Sequence, residues 1–124
     1  MKISLALLLI VIFLPLNCYS EKAQSVLGFW KYHHSTGSPC KDLIANLNYH
    51  FSANGEYTVE AKMRRIGGLS NEKAKGTFKV NANTITTQVE NVTIGPLKYR
   101  FEKDFLVFEQ ESPRCDIYLS LEDY

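Results

Sequence analysis

Between Gly28 and Cys40 the chain reads GFWKYHHSTGSPC, setting two adjacent histidines, several hydroxyl side chains and a thiol within a few turns of chain. Imidazole and thiolate are transition-metal ligands, and a hydroxyl or thiol beside an imidazole is the beginning of a nucleophile with its base. Neither chemistry is completed elsewhere in the chain. Neighbouring side chains on an extended strand project to opposite faces, so His33 and His34 are expected not to share an ion. Cys40 has no partner at C-x-x-C spacing and the histidines none at H-x-x-x-H spacing. Ser35 and Ser38 lie outside any G-x-S-x-G turn, and Gly67-Gly68 lacks the Lys-Ser/Thr pair of a phosphate loop. The carboxylate pairs Glu109/Glu111 and Glu122/Asp123 read as solvated. No metal site, no cofactor and no catalytic activity is expected.

The elements that position these residues begin with an export signal. ISLALLLIVIFL, residues 3–14, is an apolar run behind Lys2 and ahead of Pro15, the length of a secretory leader's core and too short for a permanent span. Cys18 and Ser20 supply the small residues of a cleavage site, which divides the chain into a signal peptide, 1–20, and one domain, 21–124. The alternative is a lipid anchor on Cys18, the one route by which a membrane would enter. A periplasmic or secreted location follows.

Loss of 1–20 removes one lysine from fourteen basic residues and leaves thirteen against thirteen acidic ones. A neutral domain has no field to draw in nucleic acid or anionic lipid. A domain this small has a thin core, and a covalent staple helps it. Of three cysteines, Cys40 and Cys115 remain after cleavage, an even number in an oxidising compartment, which reads as a disulfide; two separate buried thiols are the alternative.

From the histidines onward, apolar side chains recur at alternate positions. Leu43, Ala45, Leu47, Tyr49 and Phe51 form one face, Asn54-Gly55 a hairpin turn, and Tyr57, Val59, Ala61 and Met63 the face of a returning strand. Gly67 to Asn71 reads as a loop, followed by strands KGTFKV (75–80) and TITTQV (84–89). Gly95-Pro96 opens a strand with Leu97, Tyr99 and Phe101 inward. FLVFEQ (105–110) is apolar on both faces, and the last strand carries Cys115, Ile117, Leu119 and Leu121. With VLGFWKYH these make eight short strands joined by hairpin-length links, which predicts an all-β fold: a single antiparallel eight-stranded meander barrel.

Leu27-Gly28-Phe29-Trp30 resembles the G-x-W element of lipocalins, and FSANGEYTV, KGTFKVNANTIT and YRFEKDFLVFE are similar to strands of small bacterial lipocalin-like domains, which are calycin-type barrels. The resemblance spans nearly all of 21–124, but the C-terminal helix and the Thr-Asp-Tyr element are missing. It implies a structural role for Gly28 and Trp30, which would close one end, and binding of a small hydrophobic or amphipathic ligand in the barrel cup. Tyr49, Phe51, Tyr57, Met63, Phe78, Tyr99 and Phe101 are the inward candidates for that ligand. The alternative is that they fill the interior. A protein-binding module or enzyme inhibitor, acting through loops 35–39 and 66–71, is the competing function, and an envelope-associated structural domain a third.

Overall fold

The computed structural model describes residues 25–111 and 114–122. The expected signal peptide, its cleavage site and Cys18 lie outside the described residues.

Strand β1 (Gly28–Thr36) leads through a short helix α1 (Ser38–Leu43) to β2 (Ile44–Phe51), β3 (Glu56–Arg65), β4 (Gly68–Asn81), β5 (Thr84–Val89), β6 (Val92–Glu102), β7 (Phe105–Glu111) and β8 (Arg114–Leu121). Each strand pairs antiparallel with the next, and β8 pairs with β1 from Trp30↔Leu121 to Thr36↔Asp116, closing the barrel. The predicted meander is the fold observed.

One face of each strand fills the interior. Leu106, Leu119 and Phe51 are among the most deeply buried side chains, with Phe108, Ile85 and Tyr57 beside them. Trp30 stands in this core near the start of β1, where its Nε1–H donates to the Val26 carbonyl at 2.7 Å and its ring tilts against Phe101. The indole thus plugs the end carrying the β2–β3, β4–β5 and β6–β7 turns, with its one polar atom satisfied.

Val107 points outward yet is 0% exposed. Its cross-strand neighbours are Arg100 and Tyr118, and the Arg100 guanidinium reaches over it to the Tyr118 hydroxyl at 3.2 Å. Arg100 also pairs with Glu102, Glu109 and Asp116, which hold its charge in place. Neighbouring side chains therefore roof β7, which accounts for its two apolar faces.

Four local readings need correction. The link after β1 contains a helix: Pro39 sits in its first turn, where a missing N–H costs nothing. Leu43 is consequently not on the inward face of β2; it ends α1, and Ile44 is buried instead, ahead of a bulge between Ile44 and Asn46 that restores Leu47, Tyr49 and Phe51 to the interior. The loop expected over 67–71 is only the turn Ile66-Gly67, because β4 begins at Gly68 and pairs with β3 from there to Thr77. Gly95-Pro96 does not open β6 but lies in a bulge within it, between the pairs Thr87↔Ile94 and Ile85↔Leu97.

The strands are staggered. β4 pairs with β5 only from Thr77 to Asn81, so Gly68 to Gly76 is bonded to β3 on one side alone. The β3–β4 hairpin projects past the β5–β6 turn as a tongue.

The disulfide Cys40–Cys115 joins α1 to β8 across 75 positions, with Cα atoms 6.1 Å apart, an ordinary span for the bond. Gly37 makes the approach feasible, since it has φ 94° and a Cβ there would lie 2.5 Å from the Arg114 carbonyl oxygen. The covalent link suggests an oxidising, extracytoplasmic setting. Replacing both cysteines, Cys40→Ser with Cys115→Ser, is expected to lower unfolding free energy in urea by about 2–4 kcal/mol. Coincident transitions for the two proteins would show that the bridge adds no stability.

Candidate functional site

The end opposite Trp30 is where the chain leaves space. α1 lies there between β1 and β2, held to β8 by the disulfide, and its residues Pro39, Cys40 and Leu43 form one wall of a cavity of about 380 Å³. Ile44 and Leu47 of β2, Met63 of β3 and Ile117 of β8 add to the apolar lining, and among the described residues Gln110 of β7 is its one side chain with a polar end. Among the described residues its lining holds no charged side chain. Outside it, Arg64 Nη1 donates to the Ile44 carbonyl at 2.9 Å, and Arg65 pairs with Glu72 at 2.7 Å on the tongue. A neutral apolar body would leave no charge unpaired in the cavity, whereas an ion would be stripped of water without compensation.

A second, smaller cavity of about 140 Å³ is lined by Tyr49, Phe51, Tyr57, Val59, Ile85 and Phe108 among others, with the exposed Ile94 also in its wall. That is close to the roughly 150 Å³ at which an apolar cavity admits a benzene ring. The Tyr49 and Phe51 rings stack at 5.4 Å, and Phe108 meets Tyr49 edge-on at 5.2 Å. Desolvation pushes the Tyr49 phenol up to about 12, with the Tyr57 phenol adding to the effect.

All seven side chains expected to face inward do belong to the core or pack against it. They are not gathered in one site. Tyr49, Phe51 and Tyr57 line the smaller cavity and Met63 the larger, whereas Phe78, Tyr99 and Phe101 line neither. Phe78 meets Phe51 edge-on at 4.9 Å, Phe101 faces Trp30, and Tyr99 donates its hydroxyl to the Ala82 carbonyl at 3.1 Å. These three pack the interior and its closed end. The larger cavity depends on Pro39, Ile44 and Gln110, which sequence reasoning did not single out. The available signal was Gly37-Ser38-Pro39, a helix start that would have placed α1 over the barrel's end.

The candidates for chemistry fall elsewhere. Ser35 is buried, its Oγ 2.7 Å from the Tyr32 hydroxyl, and Ser38 donates to Asp42 at 3.3 Å. His50 lies on the outer face, stacked on Phe29 with ring centroids 3.8 Å apart. His33 and His34 contradict strict alternation. A bulge between Tyr32 and His34, opposite Leu119 and Tyr118, adds one residue to β1 and leaves both imidazoles exposed on the outer wall. Their Nδ1 atoms are 2.7 Å apart.

Comparison of the chain with protein-family models, with curated proteins and with solved structures finds no match.

The Tyr49 phenol has a testable effect. Its folded value lies above the ordinary 10.0, so the stability it contributes is complete below about pH 10 and is lost as pH rises through about 12. Between pH 9 and 12 the wild type is expected to lose about 2 kcal/mol more than Tyr49→Phe, since each unit of displacement is worth about 1.4 kcal/mol. Urea denaturation of both proteins at the two pH values measures this, and equal losses would place the phenol in contact with water.

Proposed function

We infer that this barrel is an exported binding protein for a small, neutral, predominantly apolar molecule, held at the open end against α1. The observation that carries the reading is the cavity of about 380 Å³ with an apolar lining. Its size falls within the range of roughly 300–1,000 Å³ typical of small-molecule sites, and a largely apolar wall with one polar group is their usual makeup. The lipocalin-like resemblance of the G-x-W opening and the hairpin phrases supports the same reading, as does the indole plug at the opposite end. The guest's contacts differ from those expected of the seven inward residues: Met63 remains, joined by Leu43, Ile44, Leu47 and Ile117. Gln110 orients the guest by one hydrogen bond.

A second reading, partner binding through segments 35–39 and 66–71, is favoured by one observation. Ile66 stands fully exposed at the tip of the tongue, with Leu69 largely exposed behind it. Apolar side chains held on a projecting hairpin suit a contact with another protein.

Native mass spectrometry of the protein purified from its own host separates the two, through retained mass of a small molecule or of a polypeptide. For the first reading, N-phenyl-1-naphthylamine is the probe, and its fluorescence is expected to rise on binding. Leu43→Trp introduces a larger side chain from a partly exposed wall position and is expected to weaken the probe at least about tenfold while leaving the thermal midpoint within about 3 °C. Unchanged affinity in that variant would remove the cavity from consideration. Ile66→Asp is expected to leave the probe's affinity unchanged and to abolish any co-purifying polypeptide.

A further inference from the structure

We propose that His33 and His34 form a two-imidazole site for a divalent copper ion on the outer wall of the barrel, independent of the apolar cavity inside. The site originates in the bulge of β1. Without it, the two side chains would lie on opposite faces; with it, both stand outward over β8 and their Nδ1 atoms converge to 2.7 Å. In the metal-free pair one ring donates Nδ1–H to the other, whose Nδ1 lone pair accepts.

Metal–nitrogen bonds of about 2.0–2.1 Å place two ligand nitrogens roughly 2.9 Å apart at a right angle and about 3.3 Å apart at a tetrahedral angle. The observed separation is nearer to the first arrangement, which both rings reach by turning so that each Nδ1 lone pair leaves the other nitrogen and faces the ion. A right angle between adjacent nitrogens belongs to tetragonal copper(II) or nickel(II), and copper is the tighter of the two for any nitrogen site. In an oxidising compartment copper is available in this oxidation state.

Aromatic neighbours confine both rings to this part of the outer wall. His34 stacks on Tyr118 with centroids 4.3 Å apart, and His33 meets Phe105 edge-on at 4.9 Å. Phe105 and Tyr118 themselves pack edge-on at 5.6 Å, and the Tyr118 hydroxyl is bonded to Arg100 and Glu102. Restricting both imidazoles in this way lowers the entropy lost on chelation. When the ion binds, the Nδ1 proton between the rings moves through solvent to Nε2 of the ring that carried it. Both rings then coordinate as neutral ligands, and no proton is released overall.

No cluster of three or more His, Cys, Asp or Glu side chains able to hold a metal occurs among the described residues. Water therefore fills the remaining equatorial positions, and the ion is exchangeable, which suits capture or carriage of copper. It does not suit a structural metal.

Titration of the tag-free protein with copper(II), followed by electron paramagnetic resonance and by NMR line broadening, tests the proposal. Expected are a one-to-one species with two imidazole nitrogens and selective broadening of His33, His34, Phe105 and Tyr118. His33→Ala and His34→Phe, the latter keeping a ring on Tyr118, are each expected to weaken binding at least about tenfold. Broadening centred on His50 or on the amino terminus would overturn the site, as would equal affinity in either variant. Binding tighter for zinc than for copper would overturn the assigned geometry.

Discussion

The hydrogen-bonded seam between β8 and β1 is the constraint on which the molecule rests. From Trp30↔Leu121 to Thr36↔Asp116 it turns a row of hairpins into a closed wall and gives the first and last strands a partner each. It also brings Leu119 beneath the interior and aligns Cys115 with the helix after β1. Without that seam the indole plug would have no end to close and the disulfide no second wall to reach. The bulge that gathers the two histidines lies in the same seam, so the outer pair and the inner core are consequences of a single pairing.

At the other end, covalent and steric effects combine. A helix of six residues is too short to persist alone. α1 persists because Cys40 is tied to Cys115, Pro39 fixes its first turn, and Gly37 lets the backbone pass close to Arg114. The segment occupies part of the barrel's mouth, leaving an apolar recess beside it. One end is thus plugged by an indole and the other partly covered by a stapled helical segment.

The architecture is legible because inward side chains recur every second residue in most strands, and a face so strongly marked admits one register. Tyr57 to Met63, Leu97 to Phe101 and the disulfide pairing are where the pattern places them. The exceptions are local. At Tyr32–His34 an added residue changes the phase of alternation, and a reading that ignores it separates the histidines. Leu43 is misplaced because it ends α1, while the bulges at Ile44–Asn46 and Gly95-Pro96 leave Leu47 to Phe51 and Leu97 to Phe101 facing inward. Gly67-Gly68 misleads differently, since the glycines mark a tight turn whose next strand is polar and looks like loop. The recess is illegible because its lining comes from α1, β2, β3, β7 and β8, and a void is set by what those elements fail to fill.

The tongue formed by β3 and β4 leaves the amides and carbonyls of Gly68 to Gly76 without a neighbour on one side. Such a row is a template on which another chain could lengthen the sheet, and long flat rows of this kind seed fibrils. Here Lys73 and Lys75 project from the outer face, and the register puts Glu72 on the face shared with Ala61. Stacking a second strand there would strip ammonium and carboxylate groups of their hydration. Charge at this border therefore opposes pairing of a further strand along Gly68 to Gly76.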